Sequence, residues 1–251
     1  MMRLVYLASL LLLTCFTCLV SLPAQAASPD ALWQIVHEQC LPNSVAHGDP
    51  APCALVDREH GFVLLKDSNG IAQHLLIPTI RLAGIESPEL LLPEAPNYWR
   101  QAWERRDYVA RTLGKPLAPE QFALEINSAA ARSQLQLHIH MDCVRPDLPA
   151  LLQTHREDPF GQWQPLQLDG HTYSILRLPA DALATQDPFK LAAARSPYAA
   201  RAMAAQSLLL TGARFADGSS GFYLLNIPVN FALQEQGSAE VLLDHDCRIV
   251  E

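Results

Sequence analysis

The chain has 251 residues, 49% of them hydrophobic, with 18 Lys and Arg against 26 Asp and Glu and a formal net charge of −8. That balance argues against a general nucleic-acid binder, which normally carries a basic face. It leaves room for a local cationic pocket, and the length is enough for a well-buried core in one domain or two closely fused lobes.

In chain order, the first predicted element is a leader. Arg3 is followed by an apolar run over 4–22 and by the small-residue end "PAQAA", the layout of a secretory signal. Roughly 20 apolar residues also span a bilayer, so residues 1–27 are read as a signal peptide or as an N-terminal membrane anchor. Either way residues 28–251 form the exported domain. Neither Cys15 nor Cys18 sits in a lipoprotein box, and no later segment has the length and apolarity of a second span.

"SPDALWQIVHEQC" predicts a short amphipathic helix with Ser28 as cap and Pro29 at its first position. "CALVDREHGFVLLKDSNGIAQHLLIPT" predicts strands meeting at "DSNG", and Asn-Gly is a strong hairpin signal. "PNYWRQAWERRDYVARTLG" predicts one long helix ended by Gly114. "EQFALEINS" and "SQLQLHIHMDCV" predict neighbouring strands, and "RPDLPALLQTHRED" a helix. "WQPLQLDGHTYSILRL" is expected to turn at Asp169-Gly170. "SPYAARAMAAQ" predicts a further helix and "SLLLTGARFADGSSGFYLLNIPVN" a last hairpin. This is an α+β pattern, an antiparallel sheet with helices packed on one face. The second half loosely echoes the first, so a fused pseudo-duplicate is also considered.

Past residue 27 lie four cysteines, Cys40, Cys53, Cys143 and Cys247. An even count in an exported chain suggests two disulfides. Cys40 and Cys53 flank the loop "LPNSVAHGDPAP" and make the natural local pair, leaving Cys143 with Cys247. Free buried thiols or a metal site are the alternatives. The absence of a C-x-x-C past residue 27 argues against a structural zinc.

The chemistry-bearing stretch is "SQLQLHIHMDC". His138 and His140, one residue apart, project from the same side of a strand, and Asp142 continues that side. The pair could ligate a metal, sit satisfied in the core, or act as a nucleophile and its support. An imidazole nitrogen can attack phosphorus, splitting one hard displacement into two easier ones. That reading needs a neutral ring of fixed tautomer and donors for the phosphate oxygens. Asn127, Ser128, Arg132, Ser133 and Gln134, in the turn just before the histidines, are donors of that kind. His74, His245, Tyr98, Trp99 and Trp103 read more simply as core or surface residues, although a Cys143–Cys247 bond would bring His245 near the site.

The series "NSAAARSQLQLHIH" resembles the active-site stretch of the histidine-triad superfamily of nucleotide hydrolases and transferases, where Asn and Gln precede His-x-His-x-His. The resemblance implies that Asn127 and Gln134 are phosphate-contacting amides, His138 the first histidine and His140 the nucleophile. Asp142 stands where the third histidine belongs, which puts the phosphate contact of that position in question. "GFVLLKDSNG", "HLLIPTIRLAGIESPELL", "LQLHIHMDCVRPD" and "DHDC", in that order, narrow the resemblance to the bacterial CDP-diacylglycerol pyrophosphatase family.

The resemblance implies a membrane-associated hydrolase without metal or cofactor. Its substrate would be a liponucleotide in the bilayer, cleaved to CMP and phosphatidate on the periplasmic side of the inner membrane. Ser133, Lys66, Arg81, Arg132 and Arg145 would be further candidates for the phosphates. The alternatives are a hydrolase or nucleotidyltransferase of the same type acting on a soluble phosphoanhydride, and a non-catalytic exported metal- or ligand-binding module. Oligomeric state is left open.

Overall fold

The computed structural model describes residues 28–234 and 236–251. The predicted leader, with Cys15 and Cys18, lies outside the described residues. Nine strands form one antiparallel sheet: β1 (Leu55–Asp57), β2 (Phe62–Lys66), β3 (His74–Pro78), β4 (Phe122–Ile126), β5 (Ile139–Cys143), β6 (Trp163–Leu168), β7 (His171–Pro179), β8 (Gln206–Arg214) and β9 (Ser220–Pro228). Their spatial order is β1-β2-β3-β5-β4-β8-β9-β7-β6.

That order contains a repeat. β2 to β5 lie as β2-β3-β5-β4, and β6 to β9 lie as β6-β7-β9-β8, the same path run twice. The two copies meet where β4 pairs antiparallel with β8, with Glu125 opposite Leu209. In the first copy His140 stands between Leu75 and Glu125. Leu225 stands between Ile175 and Leu209 in the second. The fused pseudo-duplicate is therefore present in the topology, and its second half carries leucine where the first carries histidine.

The predicted hairpins are where the local chemistry puts them. Asp169 and Gly170 both have positive φ (54° and 82°), the requirement of a two-residue turn that matches strand twist. Two helical features differ from expectation. The N-terminal helix does not stop at Cys40: Ala31–Gln34 passes through a π segment, Ile35–Cys40, into Leu41–His47. Pro42 has no N–H to give, and the wider turn just before it absorbs the missing bond. The long helix is broken into Tyr98–Glu104 and Asp107–Leu113. At the break Arg105 turns back to bond Asp57 at 2.6 Å and to lie over the Phe62 ring.

The helices within residues 98–113 and 182–194 cover one face of the sheet, burying Trp99, Val109, Leu183 and Phe189 against Leu76, Leu124, Leu210 and Leu224. The other face is covered in two separate patches. The N-terminal helix lies on Val63, Leu65, Leu75 and Ile77. Leu148, Leu152 and Leu242 lie on Ile175, Leu209 and Leu225. The gap between the patches falls on β5 and β4. Disulfides join Cys40 to Cys53 and Cys143 to Cys247, the pairing expected from sequence.

Candidate active site

Strand alternation decides what faces the gap. Ile139, Met141 and Cys143 enter the main core, so His140 and Asp142 point to the opposite side, with His138 just ahead of them. The two histidines form the floor of a cleft of about 640 Å³, whose lining also includes Asn127, Ser133, Gln134 and Glu240. The lining has an apolar part as well, Leu65 and Leu75 beside His140 on the sheet and Leu32 and Ile35 from the N-terminal helix.

The two rings are held differently. His138 Nδ1 lies 2.7 Å from the Gln136 carbonyl, which can only accept, so Nδ1 carries the proton and Nε2 the lone pair. Burial, with a contribution from His140, pushes its pKa down to about 4. His140, whose ring centre lies 5.0 Å away, is also kept neutral by burial. Among the described residues neither of its ring nitrogens has a hydrogen-bond partner. Glu125 Oε2 is 3.9 Å from its Nε2 and Glu240 Oε1 is 3.9 Å from its Nδ1.

His138 also makes stability depend on acid. Its folded pKa lies below the ordinary 6.5, so between pH 6.5 and about 4 the unfolded chain binds a proton that the folded chain refuses. Stability should fall over that window, by up to about 3 kcal/mol from this group. Urea unfolding of His138→Gln should show a shallower acid loss than wild type, and identical slopes would refute the assignment.

The carboxylates around His140 are unequal. Glu125 is fully buried. Its Oε1 accepts from the Ser207 hydroxyl at 3.0 Å, while Oε2 has no hydrogen-bond partner among the described residues. Burial, reinforced by the charge of Glu240, raises its pKa well above the carboxylate range and favours the acid form. Glu240 is the reverse: His245 3.6 Å away, then His140 and the Asn127 amide at 2.7 Å, hold it down to about 2 against burial. Glu125→Gln, the shape of the neutral acid, should leave the melting temperature within a few degrees, whereas Glu125→Ala should cost about 2–5 kcal/mol. A large loss in the Gln variant would mean that Glu125 is ionised in the fold. Glu125, His140 and Glu240 also bring ligand-type atoms within 4.8 Å of one another, a spacing a divalent ion could bridge.

Asp142 is buried beneath these groups. Its Oδ1 accepts the Cys143 N–H at 2.8 Å and its Oδ2 accepts from His245 Nδ1 at 2.7 Å. Burial pushes Asp142 up, and His245 pulls it back. The hydrogen bond to Asp142 and the Glu240 carboxylate 3.6 Å away raise His245 to about 10, so this ring is an imidazolium at neutral pH.

The other predicted residues divide. Gln134 lines the cleft, with its amide committed to the N-terminal helix: Oε1 accepts from Leu32 N–H and Nε2 donates to the Ser28 carbonyl. Ser128 donates to the Gln236 carbonyl and shapes the turn. Lys66 lines the cleft, but its ammonium donates to the carbonyls of Asp67 and Gly70 in its own hairpin. Arg132 is paired with Glu86 beside a small space next to His138.

Arg81 and Arg145 are not brought to the cleft. Arg81 pairs with Asp30 over the Trp33 ring, and Arg145 is clamped between Asp147 and Asp169. Each has found carboxylates in its own neighbourhood. His74 is opposite Met141 on the far face, bonding the Ala72 carbonyl and meeting Tyr108 edge-on. Tyr98 and Trp99 are core.

Sequence reasoning missed Glu125 and Glu240, and it reached His245 only through the expected Cys143–Cys247 bond. Glu125 had a signal, a carboxylate inside the apolar strand "FALEI". Glu240 and His245 come from an irregular C-terminal segment, and only the neighbouring Cys247 hinted at their place.

Two comparisons with known proteins bear on this arrangement. A sequence model of the family described as CDP-diacylglycerol pyrophosphatase matches residues 27–251. The CDP-diacylglycerol pyrophosphatase of Yersinia pestis is 40% identical over 247 residues, 98% of this chain and 94% of that protein.

Proposed function

The chain belongs to the CDP-diacylglycerol pyrophosphatase family, and from that premise we propose that it hydrolyses CDP-diacylglycerol to CMP and phosphatidate through a nucleotidyl group carried on His140. The observation that carries the mechanism is a neutral imidazole in the cleft floor whose two ring nitrogens make no hydrogen bond among the described residues. His140 Nε2 donates its lone pair to the α-phosphorus, and the bond to the bridging oxygen breaks with its electrons leaving on phosphatidate. Water then attacks phosphorus, the P–N bond breaks, and CMP departs from a restored ring.

The surroundings suit that sequence of events. Glu240 faces Nδ1, and closing the 3.9 Å gap on substrate binding would fix the Nδ1–H tautomer and stabilise positive charge on the ring. Glu125 as the neutral acid presents no second full charge to the phosphates. The apolar part of the lining, Leu32, Ile35, Leu65 and Leu75, fits the lipid side of the substrate.

A second reading exchanges the rings, because the Gln136 bond already gives His138 the tautomer of a nucleophile, with the lone pair on Nε2. One quench experiment separates them. Brief reaction with substrate labelled in the nucleotide, then peptide mapping, should place CMP on His140; label on His138 would reverse the roles, and no protein-bound label would remove the covalent mechanism. Rates with CDP-diacylglycerol in mixed micelles should exceed those with soluble CDP-alcohols and dinucleoside polyphosphates. The opposite preference would favour a soluble phosphoanhydride. Absence of any turnover would favour a binding module, the other class consistent with a histidine pair.

Membrane association is part of the proposal and rests on residues 1–27, read as a signal or anchor that carries the domain to the periplasmic side. Two disulfides suit that oxidising compartment. Among the described residues no helix is long and apolar enough to cross a membrane.

A further inference from the structure

We infer that His245 is a positioning residue of this site, the link in a chain Asp142–His245–Glu240–His140 that sets the Glu240 carboxylate against the reacting ring. The inference rests on His140 as that ring and adds a member from the far end of the sequence.

His245 is built into its place. Its carbonyl accepts the Ile71 N–H at 2.9 Å. The hairpin tip passes so close that a Cβ on Gly70 would stand 3.0 Å from its Cβ and its carbonyl oxygen. On either side, Asp244 N–H bonds the Cys143 carbonyl and Cys247 is disulfide-linked to Cys143. These ties set the imidazole against the histidine strand, where Nδ1 donates to Asp142 at 2.7 Å.

The other side of the ring explains what it is for. Glu240 Oε2 is taken by the Asn127 amide. Its second oxygen, Oε1, lies 3.6 Å from His245 Nε2 and 3.9 Å from His140 Nδ1. One carboxylate oxygen thus stands between a ring fixed by Asp142 and the ring proposed to react. Asp142, two residues along the strand from His140, is the holder of a histidine delivered from elsewhere. The orientation that His140 needs arrives through Glu240.

Partners that orient a reacting or ligating histidine typically change function about 10–100-fold when removed. The test is a double-mutant cycle on kcat and KM with CDP-diacylglycerol. His245→Gln should lower kcat by that factor with KM within about threefold, and Glu240→Gln should do the same. The double variant should be no worse than Glu240→Gln alone, because both act through one oxygen.

Additive losses, or an unchanged kcat in folded His245→Gln, would overturn the inference, since a merely structural ring would not couple to Glu240. Should His245→Gln fail to fold, Asp142→Asn, which keeps the shape of the strand residue, replaces it in the same cycle. Labelled CMP on His138 would overturn the inference together with the reading it rests on. Additivity with label on His140 removes the link alone.

Discussion

His140→Ala should lose at least about 10³-fold in CMP release from CDP-diacylglycerol, the scale on which removal of a nucleophile registers. The protein should still fold, because the side chain being removed makes no hydrogen bond among the described residues. Both ring nitrogens are buried, so the variant forfeits packing but no hydrogen bond. The thermal midpoint should therefore move by only a few degrees, and disulfide formation should be normal. Nucleotide binding should also persist, since the cleft walls come from the N-terminal helix, β2 and the turn before β5. His138→Ala makes a contrast. It deletes a ring bonded to the Gln136 carbonyl, and its loss should be smaller if that ring only supports His140. A His140→Ala enzyme that retains turnover while His138→Ala is dead would transfer the nucleophile to the first ring.

The features legible in the sequence were those that local rules control. Strand alternation put His138 and His140 on one side, and Asp-Gly and Asn-Gly marked hairpins. The parity and spacing of the cysteines gave both disulfides. The unread parts are contacts that cross the chain. Asp142 meets His245 across 103 residues and Asn127 meets Glu240 across 113, with no periodicity to announce either. The arginines were misjudged for a related reason. A cation near a motif in sequence is free to bind phosphate only if no carboxylate is closer in space, and Arg81 and Arg145 each have one. The helix that continues past Cys40 was hidden by Pro42, which reads locally as a stop.

Replacing both Cys143 and Cys247 by Ser should cost about 4–5 kcal/mol, because the bond closes a loop of 104 residues and loop entropy grows with length. For a domain of this size that is a fall in melting temperature of roughly 10–15 °C. The Cys40–Cys53 bond, with a separation of only 13, should cost less, about 3 kcal/mol. The two bonds differ more in what they hold. Cys143 comes directly after Asp142 on the strand and Cys247 lies two residues beyond His245, so the longer bond fastens together the segments that carry the Asp142–His245 pair. Opening it lets the C-terminal segment peel from β5 and leaves the buried Asp142 carboxylate short of a partner. The loss of kcat in the Cys143/Cys247 variant, measured well below its melting temperature, should therefore approach that of His245→Gln. Adding His245→Gln to it should then change little. If the variant is destabilised yet fully active, His245 keeps its place without the bond, and the disulfide stabilises the fold without setting the site.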